Sequence, residues 1–397
     1  MMYCGIDVAK LKHAVSLMDD KGQTLKSVFT ITNTRSGFDQ LLAELHNLTG
    51  EVTVGLEATG HYWLALYDEL TRKNYPVIVL NPMQVAAYRK SGIRKIKSDV
   101  TDAVWIADYI RIANLPASEQ NLPIFLQLRE LSRFRFRLTE QVGNLKRKLL
   151  TILDRVFPEY ERLFSNVFLQ ASRSVLQEAV SAQEFADFNL QELTDILAKA
   201  SRGRFGQEKA EKIQEQARKS VGVGFLTNAV HLEMRCLLAQ LDLLNDQRDQ
   251  IDLAINELMN KIPQHITSIP GIGPVTGAAI LAEVGDIQRF DTVDKLVAYA
   301  GIDPSVYQTG QFEASEAHMS KRGSPYLRHA LWLAATAALL HDPLLKEYYQ
   351  KKRNEGKHHG TALGAVCHKL LARIFVVLKE QRAYVIRYII KVLCFDP

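Results

Sequence analysis

Four acidic residues near the start of the chain stand where acids are unusual. Asp7 lies within an apolar strand-like segment, and Glu57 directly follows another, Val54-Gly-Leu56. An ionised group in such a setting is costly unless something compensates it. Asp99 and Asp102 are three residues apart, which places both on one face of a helix. These positions and spacings indicate that the four acids belong to one functional site.

Four carboxylates that converge need a compensating charge, because like charges disfavour each other's ionised forms. Mg²⁺ or Mn²⁺ would supply it, since hard cations take carboxylate oxygens. Two such ions about 4 Å apart can stabilise the attacking and leaving oxygens of a phosphodiester. Alternatively, Asp99 is only a helix cap and Asp102 only a first-turn acid. Asp7 has no comparable structural explanation, and the metal site is therefore our hypothesis.

The elements around these acids predict a mixed α/β sheet. Three strands, residues 2–8, 13–18 and 25–32, precede a helix that Ser36 would cap, and then strand 52–56, helix 61–73 and strand 76–80 follow. An antiparallel meander joined to parallel strands by crossover helices gives such a sheet. That order is found in ribonuclease H-like folds. It makes the first and fourth strands neighbours, with a later helix across their ends.

The remainder of the chain is predicted to be helical. Apolar residues recur every seven positions over 128–156 and 237–262, interrupted at Arg135 and Arg248. Two such segments suit an antiparallel coiled coil, within one chain or between chains, although ordinary bundle helices fit equally well. A polar, mostly helical insert, 158–230, separates them. From Pro263 onward the pattern is again mainly helical.

A glycine-rich turn, Pro270-Gly271-Ile-Gly273, has the form of a helix-hairpin-helix turn. The backbone N–H groups of Gly271 and Gly273, at a helix N-terminus, would then contact phosphates. A plain joint between two helices is the competing interpretation.

Basic residues indicate a polyanionic partner, because they cluster although the formal net charge is only +5. The predicted phosphate-binding side chains are those of Arg94, Lys95, Lys97, Lys321 and Arg322. Near the last two lies a loop rich in hydroxyl residues, where Ser or Thr beside cations could attack a phosphate. Such residues near glycine are, however, more often turn formers.

Composition places the chain among globular proteins of two or three domains, with 397 residues, 47% hydrophobic. Its four cysteines have no paired spacing, which argues against a zinc site or a disulfide framework and favours small buried residues. The N-terminus lacks a signal core. The longest apolar run, 331–340, is half of what a bilayer requires. We therefore expect a cytoplasmic protein without a membrane partner.

Taken together, the motifs resemble the DEDD transposases of the IS110 family, relatives of the Piv-type DNA invertases. The resemblance covers nearly the whole chain and depends on these segments in this order: Gly5-Ile-Asp7-Val-Ala-Lys10, Glu57-Ala-Thr-Gly60, Asn81-Pro82, Lys97-Ser-Asp99-Val-Thr-Asp102-Ala103, Ile269-Pro-Gly-Ile-Gly273, Tyr299-Ala-Gly-Ile-Asp-Pro304 and Met319-Ser-Lys-Arg-Gly-Ser-Pro-Tyr-Leu-Arg328.

The resemblance implies three parts. They are a RuvC-like DEDD catalytic domain over 1–118, a coiled-coil dimerisation region with a helical insert over 119–262, and a C-terminal transposase domain over 263–397. It implies that Asp7, Glu57, Asp99 and Asp102 are catalytic and hold the metal. It further implies a dimer or tetramer and a structured bridge RNA that pairs with target and donor DNA.

The chain departs from the family at the nucleophile. Family members use a serine in a Tyr-x-Ser-Gly context, and this sequence has Tyr307-Gln-Thr309-Gly310. Threonine keeps the hydroxyl but adds a methyl group that stiffens the rotamer and crowds attack. We assign the nucleophile to Thr309, with Ser305, Ser315 and Ser320 as alternatives. A slow or inactive copy is a further interpretation.

Two other functions remain open at this point. One is a metal-dependent hydrolytic nuclease resembling Holliday-junction resolvases, in which the C-terminal part only binds DNA. The other is a non-catalytic nucleic-acid scaffold. Covalent trapping on DNA separates the first from a recombinase, and insensitivity to Asp7→Ala would support the second.

Overall fold

A computed structural model describes residues 1–58, 60–91, 99–115, 117, 122–303, 308–309, 312–313 and 319–385. Within these, the side chains at 83–84, 90–91, 99, 122, 308–309 and 312–313 are not described. The chain divides into two compact units, Met1–Leu122 and Pro123–Pro397. Apart from residues 119–122, the predicted second and third domains both fall in the second unit, and the threefold division stays a prediction.

The first unit is built on a five-stranded mixed sheet, as predicted. The strand order is β3-β2-β1-β4-β5, with β1 antiparallel to β2 and parallel to β4. The predicted neighbours, β1 and β4, are therefore adjacent. The strands are β1 (Met2–Asp7), β2 (Lys12–Met18), β3 (Phe29–Thr32), β4 (Val52–Glu57) and β5 (Val77–Leu80).

The described helices of this unit are α1 (Arg35–His46), α2 (Leu64–Arg72), α3 (Pro82–Ser91) and α4 (Asp99–Ala113). The prediction that Ser36 caps α1 is wrong. The N-cap is Thr34, whose extended backbone lets its hydroxyl accept from the Gly37 amide at 3.3 Å. The third strand begins at Phe29 rather than at Leu25, since β3 pairs with β2 only from that residue onward.

The described part of the second unit is almost entirely helical. Its helices are α5 (Leu122–Val156), α6 (Gln170–Leu176), α7 (Ala182–Asp187), α8 (Leu190–Ser201), α9 (Gln207–Arg218), α10 (Thr227–Met259), α11 (Pro274–Val284), α12 (Val293–Ala300), α13 (Pro325–His341), α14 (Pro343–Asn354) and α15 (His359–Glu380), and a two-stranded pair is formed by β6 (Gln308–Thr309) and β7 (Phe312–Glu313).

The long helices α5 and α10 are antiparallel. Arg135 pairs with Asp252, and Arg155 pairs with Glu233 at 3.6 Å, so that rising numbers on one helix meet falling numbers on the other. Arg135 interrupts the apolar heptad pattern in the sequence. In the structure it forms an ion pair that joins α5 to α10. Supercoiling and a role in dimerisation stay predictions.

Two separate apolar cores stabilise the second unit. One lies in the insert and the adjoining halves of α5 and α10, around the fully buried Phe157, Tyr160 and Phe185. The other is formed mainly by α11, α13 and α15. Helix α15 is long and apolar enough to cross a membrane by length and composition, and half of that segment is buried. Leu370 and Ile374 are 0% exposed, which is typical of a core helix.

The cysteines follow the sequence interpretation in part. Cys4 and Cys367 are buried, and Cys236 is exposed, which makes the prediction of a buried residue wrong there. Cys236 lies on the outer side of α10, because the buried side of that helix is taken by Leu237 and Leu241. Cys394 lies outside the described residues.

Candidate active site

Two glycines at the centre of the sheet position the first two acids. Gly5 and Gly55 are register partners in the parallel pair of β1 and β4. Helix α4 crosses both strands here so closely that a Cβ on Gly5 would lie 2.2 Å from the Ala103 carbonyl oxygen. Side chains two residues apart in a strand share a face. Asp7 and Glu57, two residues beyond these glycines, therefore lie side by side on the face that α4 covers.

The third acid is delivered by that same helix. Helix α4 begins at Asp99, and Asp102 is in its first turn, with only 8% of its surface exposed. Ala103 and Ala107, which follow it, lie over Gly5. The carboxyl ends of β1 and β4 thus meet the N-terminal end of α4. The side chain of Asp99 is not described, but its backbone opens the same turn.

An arginine joins these acids. The Arg89 guanidinium lies 2.7 Å from Oδ2 of Asp102, with 27% and 11% of the two side chains exposed. The pKa of Arg89 is raised, chiefly by this hydrogen bond and further by the negative charges of Asp102, Glu57 and Asp7. Three of the four predicted acids therefore act electrostatically on one guanidinium, and Asp102 is the one that it contacts.

Helix α3 holds Arg89 in this position. Its neighbour Tyr88 donates to Asp108 of α4 at 2.6 Å, and its ring packs on Trp105 and Tyr109 with centroids 5.6 and 5.1 Å away. Burial, together with the Asp108 carboxylate, raises the pKa of Tyr88 to about 12. The contact between α3 and α4 thus has its own polar and aromatic anchor.

The donor set suits a hard divalent cation, because it consists of carboxylate oxygens. Oδ1 of Asp102 is buried and has no hydrogen-bond partner, so that it is available as an oxygen ligand for a cation. Among the described side chains, no three of His, Cys, Asp or Glu are close enough to hold an ion as they stand. Arg89 occupies the other oxygen of Asp102.

Sequence reasoning missed Arg89 and the two glycines. The glycine signal is readable, because Gly5-Ile-Asp7 and Gly55-Leu-Glu57 repeat one spacing on paired strands. The Arg89 contact has no such signal, since it depends on how α3 packs on α4. Arg94, Lys95 and Lys97 lie outside the described residues.

In the second unit, Thr309 ends the two-residue strand β6. Gln308 pairs with Glu313, and Thr309 with Phe312, in an antiparallel arrangement. The side chain of Thr309 is not described, and the alternatives Ser305 and Ser315 lie outside the described residues.

The described residues on either side of the segment with Thr309 pack closely against each other. We call this place the loop base; it is formed by Asp303, Ser320 and Gly323. The third alternative, Ser320, donates its hydroxyl to Asp303, and the Ser320 amide donates to the Asp303 carbonyl at 2.9 Å. Close backbone packing fixes the same point, because a Cβ on Gly323 would lie 1.8 Å from the Tyr299 carbonyl oxygen. Gly301, with φ of 66°, permits the turn. The two ends of segment 304–318 are thereby held together.

A buried carboxylate ties this base to the long helix α5. Glu283 is 2% exposed and accepts two hydrogen bonds from Arg133, at 2.7 and 3.0 Å. It also accepts from the hydroxyl of Ser324, the N-cap of α13, at 2.8 Å, and its own carbonyl accepts from Tyr299. A buried charge that is fully paired in this way stabilises one arrangement of the surrounding helices.

The remaining predicted phosphate-binding residues differ in setting. Lys321 and Arg322 are exposed and directly follow Ser320 of the loop base. Gly273 is the N-cap of α11, and a Cβ there would meet nothing within 4 Å. Gly271 has φ of 92°, and a Cβ there would lie 2.5 Å from the Ala338 nitrogen, so that packing against α13 requires glycine. A nucleic-acid role for these residues stays a prediction.

Two family models match the chain, and together they cover more than half of it. A DEDD transposase model of IS110, described as "Transposase", matches residues 4–158, and a model described as "Transposase IS116/IS110/IS902 family" matches residues 263–350. The first match spans Asp7, Glu57, Asp99 and Asp102. The second spans Thr309 and its loop base.

Individual relatives extend over nearly the full length. The mini-circle IS117 protein of Streptomyces coelicolor is 27% identical over 411 residues, covering 96% of each chain. The pilin gene-inverting protein of Moraxella bovis is 24% identical, covering 96% of this chain and 97% of its own. The transposase for insertion sequence element IS1111A of Coxiella burnetii is 25% identical, covering 96% and 90%.

Among solved structures, Thermus thermophilus RuvC matches 30% of this chain and 99% of its own, with 16% identity and a TM-score of 0.24. The family models and the full-length relatives agree with the resemblance seen in the motifs. The chain belongs to the IS110 family of DEDD transposases.

Proposed function

We propose that this chain is a DNA recombinase that cuts and rejoins strands through a covalent protein–DNA intermediate. The observation that supports the proposal is that Asp7 and Glu57 end two paired parallel strands, β1 and β4, and that the helix packed on these strands carries Asp102 in its first turn. Transposases and invertases are the named activities of its relatives. Family membership implies the use of a divalent metal, and we assign Mg²⁺ or Mn²⁺.

Asp7, Glu57, Asp99 and Asp102 would hold the metal, which when bound would polarise the scissile phosphate and stabilise the developing charge. Register pairing keeps Asp7 and Glu57 at a fixed spacing, and the α4 backbone fixes the height of Asp102 above them. Positioning of this kind supplies most of the rate acceleration in enzymatic phosphoryl transfer. The protein's part is therefore to supply rigid oxygen donors.

Thr309 is assigned as the nucleophile. Its Oγ1 attacks the scissile phosphorus while the bond to one deoxyribose oxygen breaks, and that oxygen takes up a proton. A second strand's hydroxyl then attacks the phosphothreonine, Oγ1 leaves as the threonine hydroxyl, and the strands are rejoined without net hydrolysis. The loop base formed by Asp303, Ser320 and Gly323 supports this role, because it holds together the two described ends between which the segment with Thr309 lies.

The partners follow from the same family assignment. We propose that donor and target DNA bind the chain, that a structured bridge RNA encoded beside the gene guides it, and that it acts as a homodimer or tetramer. Lys321 and Arg322 are exposed at the loop base and would contact phosphates of these nucleic acids. Arg94, Lys95 and Lys97 are assigned the same role from the sequence.

Covalent trapping tests the function. The chain is expressed with a plasmid that carries the DNA flanking its gene, and DNA bound covalently to protein is recovered under denaturing conditions. Wild type and Thr309→Ser should give the adduct and recombined junctions, and Thr309→Ala and Asp7→Asn should give neither. Thr336→Ala is the matched control, since that hydroxyl only donates to the Trp332 carbonyl within α13.

Each other outcome has a defined meaning. An adduct that persists in Thr309→Ala assigns the nucleophile to another hydroxyl. Cutting without any adduct in the wild type supports the hydrolytic nuclease. Recombined junctions that form equally well with Asp7→Asn would contradict the metal site and favour the non-catalytic scaffold.

A further inference from the structure

Arg89 holds only one of the two oxygens of Asp102. Its guanidinium lies 2.7 Å from Oδ2, and Oδ1 of the same carboxylate is buried without a partner. A buried carboxylate oxygen with no donor is costly. The pair is thus incomplete on the side where an additional cation would bind.

The same guanidinium lies within the field of Asp7 and Glu57, the acids at the ends of β1 and β4. A divalent ion bound to Asp102 and to either of these acids would stand within a few ångströms of the guanidinium. Two cations that close repel strongly in a partly buried setting. Occupation of Asp102 by Arg89 and by metal is therefore mutually exclusive or nearly so.

Arg89 can leave without undocking its helix. Helix α3 remains attached to α4 through Tyr88, which donates to Asp108 and packs on Trp105 and Tyr109. Asp108 in turn is held by Arg111 at 2.6 Å. A long, flexible side chain can thus move while its backbone stays in place.

We propose that Arg89 is an internal counter-ion for Asp102, that divalent metal displaces it, and that the displaced guanidinium then binds a phosphate of the nucleic-acid strand in the site. The proposal rests on the proposed function. Guanidinium groups bind phosphate oxygens through two parallel N–H donors. Arg89 belongs in sequence to a basic stretch that also contains Lys90, Arg94, Lys95 and Lys97, and such a stretch suits a polyanion.

Metal binding provides the first test, with Mn²⁺ as the probe and the full-length protein as the sample. Arg89→Gln should bind Mn²⁺ about tenfold more tightly than the wild type in calorimetric titration, because no internal cation competes. Arg35→Gln is the control, since it removes an arginine–carboxylate pair of the same unit, that with Glu69 at 2.9 Å, which joins α1 and α2 rather than α3 and α4. Its Mn²⁺ affinity should not change.

Thermal unfolding provides a readout that does not require tight binding. In EDTA, Arg89→Gln should unfold at a lower temperature than the wild type, since Asp102 loses its partner. Added Mn²⁺ should raise its midpoint by more than it raises that of the wild type. Arg35→Gln should show a Mn²⁺ shift equal to the wild-type shift, whatever its midpoint in EDTA. Arg89→Lys, which keeps the charge, should lie between wild type and Arg89→Gln.

The third readout is the affinity for a DNA duplex of arbitrary sequence, measured with Mn²⁺ and with EDTA. The gain in DNA affinity that Mn²⁺ brings to the wild type should be smaller in Arg89→Gln and unchanged in Arg35→Gln. Equal or weaker Mn²⁺ binding by Arg89→Gln overturns this proposal and leaves the metal site intact. A wild-type protein that binds no Mn²⁺ overturns the metal site, and this proposal with it.

Discussion

Replacing Gly5 by alanine would separate the acids without altering any of them. The added Cβ would lie 2.2 Å from the Ala103 carbonyl oxygen and 2.3 Å from the Ala107 nitrogen. Both are backbone atoms of α4, and neither can rotate away. Ordinary contacts between heavy atoms are about 3.5 Å, so that the helix has to retreat by about 1 Å. Overpacking of this kind costs about 1–3 kcal/mol of stability.

The retreat would move Asp102 away from Asp7 and Glu57 by a similar amount. A misplacement of about 1 Å in a catalytic site can cost on the order of 10²-fold in rate. Gly5→Ala should therefore lower strand joining about 100-fold. Gly55→Ala should have a smaller effect, because the three atoms nearest to its Cβ would be side-chain carbons of Ile106 and Ile110, the closest at 2.9 Å.

Urea unfolding and recovery of recombined junctions measure the two effects separately. Gly37→Ala is the matched control, since its Cβ would also meet a backbone oxygen, that of Thr32, at 2.0 Å. That contact lies at the end of β3, two strands from β1. Both variants should have a lower free energy of unfolding than the wild type. Only Gly5→Ala should also have a lower recombination activity per amount of folded protein. Equal activity of the two folded variants would refute the reasoning.

Three further predictions concern stability and the loop base. Arg133→Met should lower the free energy of unfolding by about 3 kcal/mol in urea, because the buried Glu283 loses its bidentate partner; a loss under 1 kcal/mol would contradict this. Burial lowers the pKa of His13, so that below its unfolded value of 6.5 the unfolded state takes up a proton that the folded state resists. Wild-type stability should therefore fall as pH drops below 6.5, by up to about 1.4 kcal/mol per unit, and His13→Leu should lack that slope; parallel curves would disprove the assignment. Gly323→Ala should abolish the covalent adduct, since its Cβ would lie 1.8 Å from the Tyr299 carbonyl oxygen, and Gly224→Ala, with open space around it, should not.

Much of the first unit could be predicted from the sequence. Apolar strands separated by a tight turn and by crossover helices define a mixed sheet, and parallel strands place their ends on one edge. Asp7 and Glu57 were therefore expected to be neighbours, and the register confirms that the strands bearing them pair. The helix caps were less predictable. Thr34 and Ser36 can both cap, and the extended backbone of Thr34 decides in its favour.

The contacts that organise the site could not be predicted in the same way. Arg89 meets Asp102, and Asp303 meets Ser320, across 13 and 17 positions of chain. No periodicity links such residues, because each contact depends on how two elements pack. Arg135 could not be interpreted from the sequence for the same reason. It interrupts the heptad pattern, and its ion pair with Asp252 becomes visible only when α5 packs against α10.

The pairing of β1 with β4 has a consequence for how this chain can change in length. Successive residues of a strand alternate between the two sides of a sheet. One inserted or deleted residue between Val52 and Glu57 would turn that carboxylate to the opposite side of the sheet, away from Asp7. The connection at 47–51 lies outside both strands and can absorb such changes. Homologues that differ in length near this point should therefore vary in that connection, and the six residues of β4 should keep their number.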